Sequence, residues 1–274
     1  MRWRVSFLAI AVLCAPPAWA DCASEYYRGA APWVAEARAL DVRELCYDDF
    51  AVGHSGVTHT PLWSAEHLTM VEIDAARTLS RRDTFHAEAQ LPQGERAELM
   101  DYRRSGFDRG HMAPSGDMPT PHAQAQSFTL ANMVPQRAAL NRGLWEEIEV
   151  ATRDLAEQDG ELFVVTGPIF DGREGVALNG RVRVPSAVFK ALYDPRRRQA
   201  GAYVADNAAS ADYRVVSIAQ LQAMIGVDVF PSLPASIKAV AMDLPAPERR
   251  DRQTRDPHGA HDRQPSGILT AFSR

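Results

Sequence analysis

The stretch LNRGLWEEIEVATRDLAEQ, from Leu140 to Gln158, is the strongest helical signal in the chain, and it constrains the fold because it carries two rows to satisfy. Leu140, Leu144, Ile148, Ala151 and Leu155 recur at three- and four-residue intervals and form one apolar stripe that must be covered. Asp159-Gly160 stops the helix. Beside the stripe, Asn141, Trp145, Glu149 and Arg153 repeat at four-residue spacing, at the edge of the core. Two readings are open for that row: a solvated flank with one Glu–Arg pair, or side chains turned into a site.

What covers the stripe is read from the flanking segments. Between Asp48 and about Leu244 strand-like and helix-like stretches alternate without a linker or an internal repeat. PLWSAEHLTM (61–70) alternates loosely, and ELFVVTGPIF (161–170) is a run of β-formers stopped by glycine and proline. RVRVPSAVFKALYD (181–194) and QAGAYVADN (199–207) read as a hairpin around PRRR. A strand at 213–216 leads into a short helix with Ser217 at its start and Gly226 at its stop.

The ends have a different character. Two arginines, a short apolar run VSFLAIAVLC and the small-residue pattern Ala18-Trp19-Ala20 lay out a secretory signal peptide over 1–20, cleaved after Ala20. The run is far short of the roughly twenty residues a membrane span needs, so no membrane association is expected. Residues 21–47 form a lead-in, 48–244 the main domain, and the polar, proline-broken 245–274 a disordered tail whose His258 and His261 are solvated rather than ligands. Cleavage leaves Cys22 and Cys46, an even pair for which an oxidising compartment predicts a disulfide. The expected location is secreted or periplasmic. The net charge of -5 argues against broad electrostatic attachment to nucleic acid, though not against a local basic cleft.

GFDRGHMAPSGD (106–117) packs charged and ring nitrogen groups too densely to be explained by burial. His111 offers a general base. Arg109 can hold an anion such as phosphate, and Gly110 permits a close backbone approach or a turn. Thirty residues on, Asn141 and Glu149 supply hard oxygens suited to Mg2+, with Mn2+ as the alternative ion. They are eight residues apart, roughly 12 Å along a helix axis, so both can hardly ligate one ion directly. Side chains tilt toward the helix N-terminus, so Asn141 as ligand with Glu149 leaning toward the ion's water is the economical arrangement.

DRGHMAP followed by NMVPQRAALNRGLWEEIE closely resembles the signature of the DNA/RNA non-specific endonuclease family, which includes the Serratia-type secreted nuclease and mitochondrial endonuclease G. VVTGPIF, VPSAVFKALYD and IGVDVFPSLP extend the resemblance across about Asp48 to Leu233. It implies an α+β fold, the ββα-metal or His-Me finger nuclease fold, with a central antiparallel sheet flanked by helices. It further implies that His111 is the general base, Asn141 the direct Mg2+ ligand and Glu149 the carboxylate holding the ion's water. By the same resemblance Arg153 supports the phosphate or leaving group, Arg109 contacts the phosphate region, and Asp108 and Asn132 support the site. His67 stands where some members carry an arginine directed toward the phosphate. The implied activity is Mg2+-dependent hydrolysis of DNA and RNA with little sequence preference, leaving 5′-phosphate ends. A nucleic-acid-binding protein of the same fold that has lost catalysis is the alternative, and the oligomeric state, a homodimer included, is left open.

Overall fold

The hairpin expected around 195–198 forms, and it belongs to a much larger sheet. In a computed structural model of the chain, the described residues are 22–170, 172, 175–210 and 212–248. The signal peptide, His258, His261 and nearly all of the tail lie outside them. Nine strands matter here: β1 (Val42–Cys46), β2 (Ala51–Ser55), β3 (Thr60–Thr69), β4 (Asp108–His111), β5 (Met133–Gln136), β6 (Glu161–Ile169), β7 (Ala187–Asp194), β8 (Gln199–Asp206) and β9 (Tyr213–Val216). Seven of them pair antiparallel in the order β9-β8-β7-β6-β3-β2-β1, and β4 pairs with β5 in a separate ribbon. The fold is thus α+β around a central antiparallel sheet, as expected.

Both faces of the sheet are covered, so its strands read as nearly continuous apolar runs. Trp63, Ala65, Phe163, Val165, Phe189 and Ala191 point to one face, where Ile218 and Leu221 of a helix over Ile218–Ile225 and residues from the N-terminal segment pack. That helix is capped by Ser217, whose hydroxyl accepts from the Gln220 backbone, and by Gly226 in the left-handed region. Leu68, Leu162, Val164, Val188 and Leu192 point to the other face, beneath Trp145, Ile148 and Leu155. Cys22 and Cys46 are disulfide-bonded, which ties the N-terminal segment to edge strand β1. Strand β1 lies within the 21–47 stretch that the sequence sets apart as a lead-in.

The covering helix differs from the expected one at its start. Residues Leu140–Leu144 form a π-helical turn in which Gly143 leaves helical geometry (φ -127, ψ -110), and the regular helix α1 runs over Trp145–Asp159. A π-turn displaces the side chains before it relative to those after it, a distortion frequent at functional sites. The four-residue row is therefore not one straight line. Trp145 is fully buried, Ile148 is buried with it, and Leu144 from the apolar stripe is only half-buried.

Candidate active site

Ribbon β4–β5 sets His111 opposite Met133 and Gly110 opposite Val134. The glycine of the motif has a packing cause: a Cβ at Gly110 would collide with the Gln136 side chain, which crosses over it. Its role is close approach rather than a left-handed turn. Beyond His111 the chain turns through 113–117, and Asn132 braces that turn. The Asn132 amide nitrogen donates to Ala113 O (2.8 Å) and Ser127 O (2.9 Å), while its oxygen accepts from Ala113 N (2.9 Å) and Ser64 Oγ (2.8 Å). All four hydrogen-bonding positions of the buried amide are thus satisfied.

The ribbon, the 113–117 turn, the π-turn and α1 enclose a cavity of about 690 Å3 lined by Asp108, Arg109, His111, Asn141, Glu149 and Arg153, among others. The structure brings these six together, with Asn132 behind them. Asp108 receives both Nε and Nη2 of Arg142 at 2.7 Å and the Asn141 amide nitrogen at 3.1 Å. A carboxylate held by Arg142 only accepts, so the Asn141 amide must present its nitrogen to Asp108, which leaves Oδ1 as the acceptor for another group. The paired guanidinium beside Asp108 holds that carboxyl below its ordinary range.

His111 sits in an aromatic corner. Its ring is edge-on to Phe128 at 4.9 Å and tilted to Phe85 at 5.7 Å, and Nε2 is buried without a hydrogen-bond partner among the described residues. Burial, aided by the positive charge of Arg81, pulls its pKa down to about 3. The imidazole is thus neutral, and so able to accept a proton, throughout the physiological range. Arg109 lies over the Phe85 ring at 4.5 Å.

Glu149 is half-buried, and desolvation raises its pKa to about 7 against the opposing charges of Lys190 and Arg153. Asn141 Oδ1 and the Glu149 carboxylate are hard oxygen donors on one cavity wall. That donor set, together with a carboxyl made costly to ionise by burial, fits a hydrated Mg2+-like cation. The plain reading of a Glu149–Arg153 pair is not what forms: the Arg153 guanidinium bonds instead to Asp117, Nη1 to Oδ1, at 2.5 Å.

His67 departs from its expected place. Strand alternation turns it to the sheet face opposite the cavity, where it stacks on Phe163 (4.2 Å, 3°) and bonds to Glu161 Oε2 (2.8 Å). An arginine reaches the cavity from another segment: Arg81, over the Phe128 ring at 5.2 Å and bonded through Nη1 to Ser115 Oγ at 3.2 Å. The sequence reading missed Arg81 because 78–86 has no periodic pattern. Also missed were Asp117 and the buried Glu66 and Lys190 beneath α1. Lys190 donates to Thr166 Oγ1 at 2.8 Å and lies 5.8 Å from the Trp145 ring centre. Burial drives the Glu66 carboxyl well above its ordinary range, with the Asp117 charge adding to the rise. Period-two alternation could have placed Glu66 on the cavity side, since it shares a face with Leu68.

The family model for DNA/RNA non-specific endonucleases matches residues 35–236. A mitochondrial nuclease EXOG from Danio rerio is 31% identical over 208 residues, which is 68% of this chain and 60% of that protein. Nuclease C1 of Cunninghamella echinulata var. echinulata is 33% identical over 168 residues, 57% of this chain and 67% of that enzyme. The chain thus spans 60% of the length of the Danio relative. A chain of the solved EndoG/EndoGI complex superposes with a TM-score of 0.60 at 24% identity, covering 72% of this chain and 88% of that one, and shares the fold. Among the described residues no helix is long and apolar enough to cross a membrane.

Proposed function

The chain belongs to the DNA/RNA non-specific endonuclease family, and from that premise we propose that it is a metal-dependent endonuclease hydrolysing phosphodiester bonds of DNA and RNA with little sequence preference. What supports this most is one juxtaposition. A neutral histidine with an unspent Nε2 and an asparagine whose amide nitrogen is already committed to Asp108 line the same cavity.

His111 Nε2 takes a proton from a water molecule, and the resulting hydroxide oxygen attacks phosphorus. The bond from phosphorus to the 3′-oxygen breaks, the 3′-oxygen is protonated from solvent, and the products carry 5′-phosphate and 3′-hydroxyl ends. Arg153, Arg81 and Arg109 set positive charge around the phosphate in a partly desolvated cavity, where charge counts for more than in water. Asn141 would hold a Mg2+ ion through Oδ1, with Glu149 ordering its water shell and Asp108 fixing the amide. When bound, such an ion supplies further positive charge against the phosphate and the departing oxygen. None of these groups reads a base edge, and contacts to phosphate carry no sequence information.

The Cys22–Cys46 bond supports a place of work in an oxidising compartment, in keeping with a secreted or periplasmic location. The bond-cleavage assignment is tested on covalently closed plasmid and on RNA by end analysis. Fragments should accept label from polynucleotide kinase only after phosphatase treatment. Fragments labelled directly, with free 5′-hydroxyls, would contradict the mechanism.

A further inference from the structure

Arg153 is four residues after Glu149, the spacing at which a helix pairs acid with base. It pairs elsewhere. Its Nη1 reaches Asp117 Oδ1 at 2.5 Å, and the two side chains are 16% and 1% exposed. Burying a carboxylate is costly unless a partner compensates it, so this arrangement is held by structure around it. The supports are visible. Asp117 N donates to Pro114 O at 3.1 Å, Asn132 fixes the turn at Ala113, and Ser115 in the same turn accepts from Arg81. A Cβ added at Gly116 would lie 3.4 Å from Arg153 Nη1, so the turn passes close to the guanidinium. One short turn therefore anchors two guanidinium groups at the cavity wall.

We propose that Asp117 is a positioning residue for the nuclease reaction: it draws Arg153 away from Glu149, so that the arginine stands ready for the scissile phosphate and Glu149 keeps its oxygens for the metal's water shell. The inference rests on the nuclease reading for its catalytic consequence, and on the pairing geometry alone for its structural one. The bond to Asp117 takes one of the five guanidinium N–H groups. Without it, helix spacing favours collapse of Arg153 onto Glu149, which would spend both groups on each other.

The test is a double-mutant cycle on kcat/KM with closed plasmid DNA, accompanied by crystal structures. Asp117→Asn conserves shape and should fold with a thermal midpoint near that of the parent. Its kcat/KM should fall by up to about 100-fold, as expected when a catalytic group is displaced by an ångström or so. In an Arg153→Ala background the same change should cost less than about twofold, since its effect passes through the arginine. An equal loss in both backgrounds, or no loss in the parent, would overturn the proposal. The crystal structure of Asp117→Asn should show Arg153 bonded to Glu149. A guanidinium unmoved from residue 117 would overturn it too, and this readout stands even if the parent protein cleaves no nucleic acid.

Discussion

His111→Ala should fold, bind Mg2+ nearly as tightly as the parent, and turn over DNA about 10²- to 10⁴-fold more slowly, the usual contribution of a positioned general base. Folding should survive because the imidazole Nε2 makes no hydrogen bond that the alanine would orphan. Metal affinity should survive because the proposed ion site is Asn141, on the π-turn, whereas His111 is on the ribbon. The pH dependence is equally specific. The folded-state pKa is lowered to about 3, so the proton-accepting form is already fully populated at pH 5 and above. Loss of activity through His111 protonation is expected only as pH falls toward that value, not near the ordinary histidine range. A His111→Ala protein within tenfold of the parent would make the histidine structural, and one that no longer binds Mg2+ would make it a ligand.

Asn141→Ala should abolish most Mg2+ binding at concentrations that saturate the parent, and activity should fall with it. Glu149→Ala should retain more of the affinity and lose mainly turnover, within the about 10- to 100-fold range typical of groups that act on a metal through its surroundings. The order follows from what each side chain has left to offer. Asp108 pins the Asn141 amide with its oxygen unspent, at 3.1 Å from the amide nitrogen. Glu149 carries a carboxyl whose pKa burial raises to about 7, so it contributes charge only at a desolvation cost. Calorimetric titration of Mg2+ into both variants, with the reverse order of affinity, would mean that the two roles are exchanged.

Much of this was legible in the chain because local chemistry and global structure agree there. The hairpin 187–206, the helix between Ser217 and Gly226 and the strand at 161–169 follow from turn residues, caps and β-formers that act within a few positions. Of the six cavity residues, His111, Arg109, Asn141 and Glu149 were legible from their own chemistry, whereas Asp108 and Arg153 were legible only through the resemblance to the endonuclease signature. What stayed hidden depends on contacts distant in sequence. Gly143 leaves helical geometry within a π-turn whose Asn141 meets Asp108, 33 positions earlier in the chain, a contact no local pattern carries. Arg81 arrives from an irregular segment, and Asp117 finds its partner 36 positions away. His67 matches a motif position, but strand alternation turns it to the other face, against Phe163 and Glu161.

If His111 and Asn141 belong to one metal-dependent phosphodiesterase site, the purified chain should digest both plasmid DNA and RNA. In EDTA both substrates should remain intact, and addition of excess Mg2+ to the same samples should restore cleavage of both. Cleavage undiminished in EDTA, or folded protein that leaves both substrates whole in Mg2+ and in Mn2+, would contradict it.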